Sequence, residues 1–86
     1  MPERTVVVAS SVGLHARPAA LFSQQAAQAA VPVVLTSASG RSVNAASILG
    51  VLSLGIDHGE RVTISTADAA ALDALVAMLE RDLDLE

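Results

Sequence analysis

A histidine two residues ahead of an arginine, in Gly13-Leu14-His15-Ala16-Arg17-Pro18-Ala19-Ala20, is the constellation in this chain best suited to chemistry. Gly13 allows the chain a tight or left-handed approach. Pro18 belongs in the first turn of a helix, where its missing N–H sacrifices no intrahelical bond, so a helix is expected to begin near Ala16. A helix start leaves its leading amides without intrahelical acceptors and carries about half a positive charge, which makes it an anion site. A phosphoryl group on His15 would sit there, held by the backbone amides of Ala16 and Arg17 and by the Arg17 guanidinium. That planar fork of donors matches phosphate oxygens and keeps its charge at any ordinary pH. The positive helix end and the adjacent cation disfavour a protonated imidazole, so His15 is expected to be a neutral nucleophile. On local physics alone, the same residues also read as a plain surface cap.

The second candidate is Ser47, within Val43-Asn44-Ala45-Ala46-Ser47-Ile48-Leu49-Gly50-Val51-Leu52-Ser53-Leu54-Gly55-Ile56. Its hydroxyl suits the N-cap of a short helix, although no Glu stands at position 50 to complete a capping box. Ile48, Leu49 and Leu52 are spaced so that a short helix cannot easily bury all of them, whereas Val51 and Leu54 are expected in the core. The three remaining apolar residues then form a candidate docking patch, a small apolar centre rimmed by Arg17, of a size that suits a transient interface.

Both stretches carry a resemblance. The octapeptide around His15 resembles the active-site signature of the HPr family, histidine phosphocarriers of the bacterial phosphoenolpyruvate-dependent sugar phosphotransferase system. The stretch from Val43 to Ile56 is similar to the second HPr signature, around a regulatory serine and a short helix. The resemblance spans the chain. It implies that His15 accepts a phosphoryl group, at Nδ1, from a phosphohistidine of enzyme I and yields it to a histidine of an enzyme IIA domain. It also implies that Ile48, Leu49 and Leu52 contact those partners. In many Gram-positive members the matching serine is phosphorylated by HPr kinase/phosphorylase, so Ser47 is a candidate phosphoserine. Two positions depart from the family pattern: Ala46 stands where those proteins usually carry Lys, and Val12 where many carry a polar residue, with Ser11 one position earlier as a substitute. A regulatory HPr-like paralogue, or a nitrogen-related phosphotransferase carrier, would use similar residues with other partners. Retention of His15 beside Arg17 argues against paralogues that have lost the histidine.

Composition narrows the alternatives. Eighty-six residues make a single domain, 1–86, near the lower size limit for a self-sufficient core. Without cysteine there is no disulfide framework, zinc thiolate or cysteine nucleophile, which fits a reducing cytoplasm. All five basic residues are Arg, so no lysine serves a phosphate loop or a Schiff base. Two distant histidines, His15 and His58, without a paired carboxylate motif make a metal site unexpected, and His58 in Asp57-His58-Gly59 reads as a solvated turn residue. No cofactor is expected. Phe22 is the only aromatic residue and the net charge is −4, which leaves no basis for nucleic-acid binding. Charge is uneven: residues 1–56 hold Arg4, Arg17 and Arg41 against Glu3, or +2, whereas residues 57–86 hold eight acids against Arg61 and Arg81, or −6. The apolar stretch Ala45 to Ile56 is broken by serines and glycines and is shorter than the roughly 18 residues of a membrane span. Val6 to Ala9 is too brief for an export signal, so the mature chain is expected to start near Met1 and act as a cytoplasmic monomer.

The elements that would position these residues alternate. Thr5 to Ala9 reads as a strand, Ala16 to Ala29 as a helix with Ala19, Phe22, Ala26 and Ala29 inward and Ser23, Gln24 and Gln28 elsewhere. Val31 to Ser37 and Arg41 to Asn44 form a hairpin about Ser39-Gly40, with Pro32 turned away from any ladder bond. A short helix runs from Ser47 to Leu52 or Ser53, a strand from Arg61 to Thr66 with Val62 and Ile64 inward, and a last helix from Asp68 to Leu83 on a stripe of Leu72, Leu75, Val76, Leu79 and Leu83. The order βαββαβα, with one apolar stripe per helix, predicts an α/β (α+β) open-faced sandwich with the helices on one face of an antiparallel sheet. The resemblance implies the HPr-like strand order 1-4-2-3.

Overall fold

The computed structural model describes residues 2–9 and 13–81. Its elements are β1 (Glu3–Val7), α1 (Ala16–Ala27), β2 (Val33–Thr36), β3 (Ser42–Asn44), α2 (Ile48–Ser53), β4 (Arg61–Thr66) and α3 (Ala69–Leu79). The strands form one antiparallel sheet in the order β1-β4-β2-β3. The expected sandwich is thus present, with its topology.

Alternation sets the two faces of the sheet. Val6, Val62, Ile64, Val33 and Leu35 point into the core, while Thr5, Thr63, Thr36 and Ser42 lie in register across all the strands on the other face. Hydroxyl contacts Thr5–Thr63 at 3.0 Å and Thr36–Ser42 at 2.8 Å join neighbours in that row. Against the inner face pack Ala19, Phe22 and Ala26 of α1, Val51 of α2 and Leu72, Leu75, Val76 and Leu79 of α3, together with Leu14 and Ile56 from the loops. Phe22 is wholly buried, and burial of such a side chain contributes about 1.5–3 kcal/mol. With a single aromatic in the core, many alanines and valines close the layers tightly.

Several boundaries differ from the sequence expectation, each for a local reason. β1 starts at Glu3 and stops at Val7: the Val8 amide still bonds the Glu60 carbonyl beside β4, and the Ala9 amide leaves the sheet for the Leu79 carbonyl, at 3.0 Å each. β2 begins at Val33: Pro32 offers no donor and Val31 is exposed. β3 begins at Ser42, since the Arg41 carbonyl closes the hairpin by accepting from the Ser37 amide. α1 ends at Ala27 and leaves Ala29 as a loop residue packed on the core. α3 ends at Leu79, whose carbonyl is taken by Ala9, and Asp68 caps its start by accepting from the Ala71 amide. Leu83 lies outside the described residues. Ser23, expected away from the core, is buried at 5 % exposure where α1 meets α2. Among the described residues, no helix is long and apolar enough to cross a membrane.

Candidate functional site

The loop that carries His15 is fixed from below by a distant segment. Gly13 adopts φ +70°, and a Cβ there would fall 2.3 Å from the Ile56 carbonyl oxygen and 2.8 Å from Asp57 Cα. Both conformation and contact therefore require glycine. The next amide, of Leu14, donates to that same Ile56 carbonyl at 2.9 Å, and the Leu14 side chain is buried. The loop enters α1 with its backbone clamped on one side and its anchor in the core.

His15 then occupies the N-cap of α1 in an extended conformation, φ −84° and ψ −164°. Its carbonyl accepts the first intrahelical bond, from Ala19 at 2.8 Å, but its side chain makes no capping bond. The exposed imidazole is thus not engaged in holding the helix together. Pro18 is buried and has no N–H, so the leading amides that have no carbonyl ahead of them in the helix are those of Ala16 and Arg17. No acidic residue stands in this first turn to compete for their positive field. Arg17 is exposed, in the second helical position. Sequence reasoning placed these residues together and the structure does so at one helix end. Ser11 and Val12, the positions of the expected loop substitution, lie outside the described residues.

The second expected residue is also at a helix start. Asn44 prepares it: its side-chain oxygen accepts from the Ala46 amide at 2.9 Å and its carbonyl accepts from the Ser47 amide at 3.0 Å. Ser47 is the N-cap of α2, accepting from the Gly50 amide at 3.1 Å. Gly50 lets α2 lie close to β3, since a Cβ there would meet Val43 Cβ and Ser47 Oγ at 3.3 Å each. At the other end, Arg41 donates to the Ser53 carbonyl at 3.4 Å, a cation at the negative end of the helix dipole.

Val51 is buried and Leu54 half-buried, whereas Ile48, Leu49 and Leu52 are 39 %, 78 % and 38 % exposed. α2 packs beside α1, and between them runs a shallow apolar groove lined by Ala20, Ser23, Gln24, Ala27, Ala46 and Ile48. The groove residues on α1 were not singled out from the sequence. Small alanines at helical spacing were the only signal, and they read equally as core. His58 is exposed in the turn before β4. Among the described residues, no group of three or more His, Cys, Asp or Glu side chains could hold a metal ion.

The chemistry of this arrangement is that of an exposed nitrogen nucleophile at the positive end of a helix, flanked by a guanidinium and beside an apolar face. A family model described as "PTS HPr component phosphorylation site" matches residues 2–81. The chain is 43 % identical to phosphocarrier protein HPr of Streptomyces coelicolor over 98 % of its own length and 94 % of that protein's. It is 39 % identical to the HPr-like protein Crh of Halalkalibacterium halodurans, covering 95 % of this chain and 100 % of the relative. Among solved structures, HPr-C-His from Thermoanaerobacter tengcongensis superposes with a TM-score of 0.89 at 36 % identity, covering 100 % of this chain and 99 % of that one.

Proposed function

Since this chain belongs to the HPr family of phosphotransferase-system phosphocarriers, we propose that it relays a phosphoryl group on His15 from phospho-enzyme I to enzyme IIA domains in sugar uptake, as a co-substrate in the cytoplasm. The observation that carries this reading is the N-cap placement of an imidazole that takes no part in capping.

In the first step the His15 Nδ1 lone pair attacks phosphorus as the donor's phosphohistidine N–P bond breaks, the bonding pair returning to the donor imidazole. In the second step an acceptor histidine displaces His15 in the same way. Each N–P bond formed replaces one broken, so neither step needs an outside nucleophile. The work of this chain is electrostatic: the amides of Ala16 and Arg17 and the Arg17 guanidinium offset charge on the equatorial phosphoryl oxygens. Ile48, Leu49 and Leu52 present an apolar surface on α2, the neighbour of the helix that carries the nucleophile, which is where a donor or acceptor protein would be seated. Phosphorylation of Ser47 by HPr kinase/phosphorylase would put negative charge at the start of α2 and inside that docking face.

Incubation with enzyme I and phosphoenolpyruvate, followed by mass mapping, tests the relay. Label on His15 alone, acid-labile as phosphoramidates are and absent from His15→Ala, is the expected result. Label on His58, or label surviving His15→Ala, overturns it. A second reading is an HPr-like regulatory paralogue or a nitrogen-related carrier that uses the same histidine chemistry with other partners, and the likeness to an HPr-like protein favours the paralogue form of it. Transfer onward to the enzyme IIA domains of the host, tried one by one, separates the two.

A further inference from the structure

Glu60 stands just before β4, outside His15 and the apolar patch, and its carboxylate joins two segments of backbone. One oxygen accepts from the Asp57 amide at 3.3 Å and the other from the Ala38 amide of the β2–β3 hairpin at 3.2 Å. Its own amide donates to the Asp57 carbonyl at 3.1 Å, and its carbonyl accepts from Val8 at 3.0 Å. The side chain is half-buried.

The Asp57 amide belongs to the same peptide unit as the Ile56 carbonyl. That unit is therefore held at both ends: its oxygen accepts from Leu14, the residue before His15, and its N–H donates to Glu60. Gly13 lies against the same unit, so closely that a Cβ there would fall 2.3 Å from the Ile56 carbonyl oxygen and 2.8 Å from Asp57 Cα. Hydrogen bonds in series polarise one another, so a carboxylate on the N–H side makes the carbonyl a better acceptor on the other. The bond to Ala38 keeps the carboxylate aimed by tying it to the sheet.

We propose that Glu60 is a positioning residue for phosphoryl transfer at His15, acting through the Ile56–Asp57 peptide unit on the Leu14 amide and thereby on the N-cap backbone. This rests on the carrier reading given above. Transfer between two histidines through a nearly in-line arrangement is sensitive to the placement of the imidazole, and a loop allowed to slide costs rate once the complex has formed rather than affinity. Glu60 does not touch the phosphoryl group.

The test combines amide hydrogen exchange with steady-state phosphorylation by enzyme I in Glu60→Ala and Glu60→Gln. In Glu60→Ala the Leu14 amide is expected to exchange about tenfold faster while the Ile64 amide in β4 keeps its protection. kcat should fall by roughly threefold to tenfold with KM within about twofold, and Glu60→Gln, which retains one acceptor oxygen, should lie between. Unchanged Leu14 exchange and unchanged kcat in Glu60→Ala overturn the proposal. So does an equal loss of protection at Leu14 and Ile64 in both variants, which marks a general loss of stability. Should the wild-type chain take no label on His15, the carrier reading fails, and Leu14 exchange still decides whether Glu60 holds the loop.

Discussion

Leu14 donates its backbone amide to the carbonyl of Ile56 at 2.9 Å, so the residue preceding His15 is bonded to the segment that follows α2. Both side chains are buried, at 2 % and 1 % exposure, and the bond is therefore shielded from water. The position of His15 is set by this contact as much as by the helix it begins.

Gly13→Ala should break that relationship. The new Cβ meets backbone atoms, which cannot swing aside, in a conformation that L residues rarely adopt. A loss of about 1–3 kcal/mol in thermal or denaturant unfolding is expected, together with a severalfold slower labelling of His15 by enzyme I. A variant of wild-type stability and rate would place the loop elsewhere.

Arg17→Lys separates charge from geometry. A lysine keeps the cation but loses the planar fork, so transfer should slow markedly while stability stays within about 0.5 kcal/mol. Stopped-quench kinetics alongside a melting curve would show this. Wild-type kinetics would reduce Arg17 to ordinary surface charge.

At Ser47, two substitutions should part company. Ser47→Ala removes the bond from the Gly50 amide and should cost about 1 kcal/mol of stability. Ser47→Asp keeps a capping acceptor but adds a carboxylate beside Ile48 and Leu49, so folding should persist while affinity for enzyme I drops by about 1–3 kcal/mol. Leu52→Glu should weaken binding in the same way, and titration calorimetry with circular dichroism reads both effects.

Salt should matter little to docking. Across α1 and α2 the only charged residue is Arg17, so attraction between opposite patches has little to work with. The dissociation constant with enzyme I is expected to change by less than about threefold as salt is raised well past the physiological range. A tenfold weakening would show that charges elsewhere on the chain steer the encounter.

Ser23→Ala should be stabilising. The Ser23 hydroxyl is buried with no hydrogen-bond partner among the described residues, within a helix that favours alanine. A gain of about 1 kcal/mol corresponds to a rise in Tm of roughly 4–8 °C for a domain of this size. An unchanged or lower Tm would mean that the hydroxyl finds a partner in solution.

What the sequence by itself determined were the features written in near neighbours. The beginning of α1 follows from Gly13, His15 and Pro18, and the N-cap of α2 from Ser47 followed by an apolar run. The inward residues of β4 follow from strict alternation, and the α3 stripe from a period that brings Leu72, Leu75, Val76 and Leu79 onto one side. Each depends on only a few consecutive residues, so the local pattern suffices. The tertiary structure alone decided what depends on segments far apart in the chain. That Gly13 must be glycine for the sake of Ile56, that Glu60 reaches both Asp57 and Ala38, and that Ser23 is enclosed where α1 meets α2 are consequences of packing. The ends of β1 and α3 belong to the same group, because Ala9 and Leu79 terminate each other through one hydrogen bond. Backbone groups leave a strand or helix where another segment offers them a better partner, and which segment arrives there is settled only when the sheet and its helices close on one another.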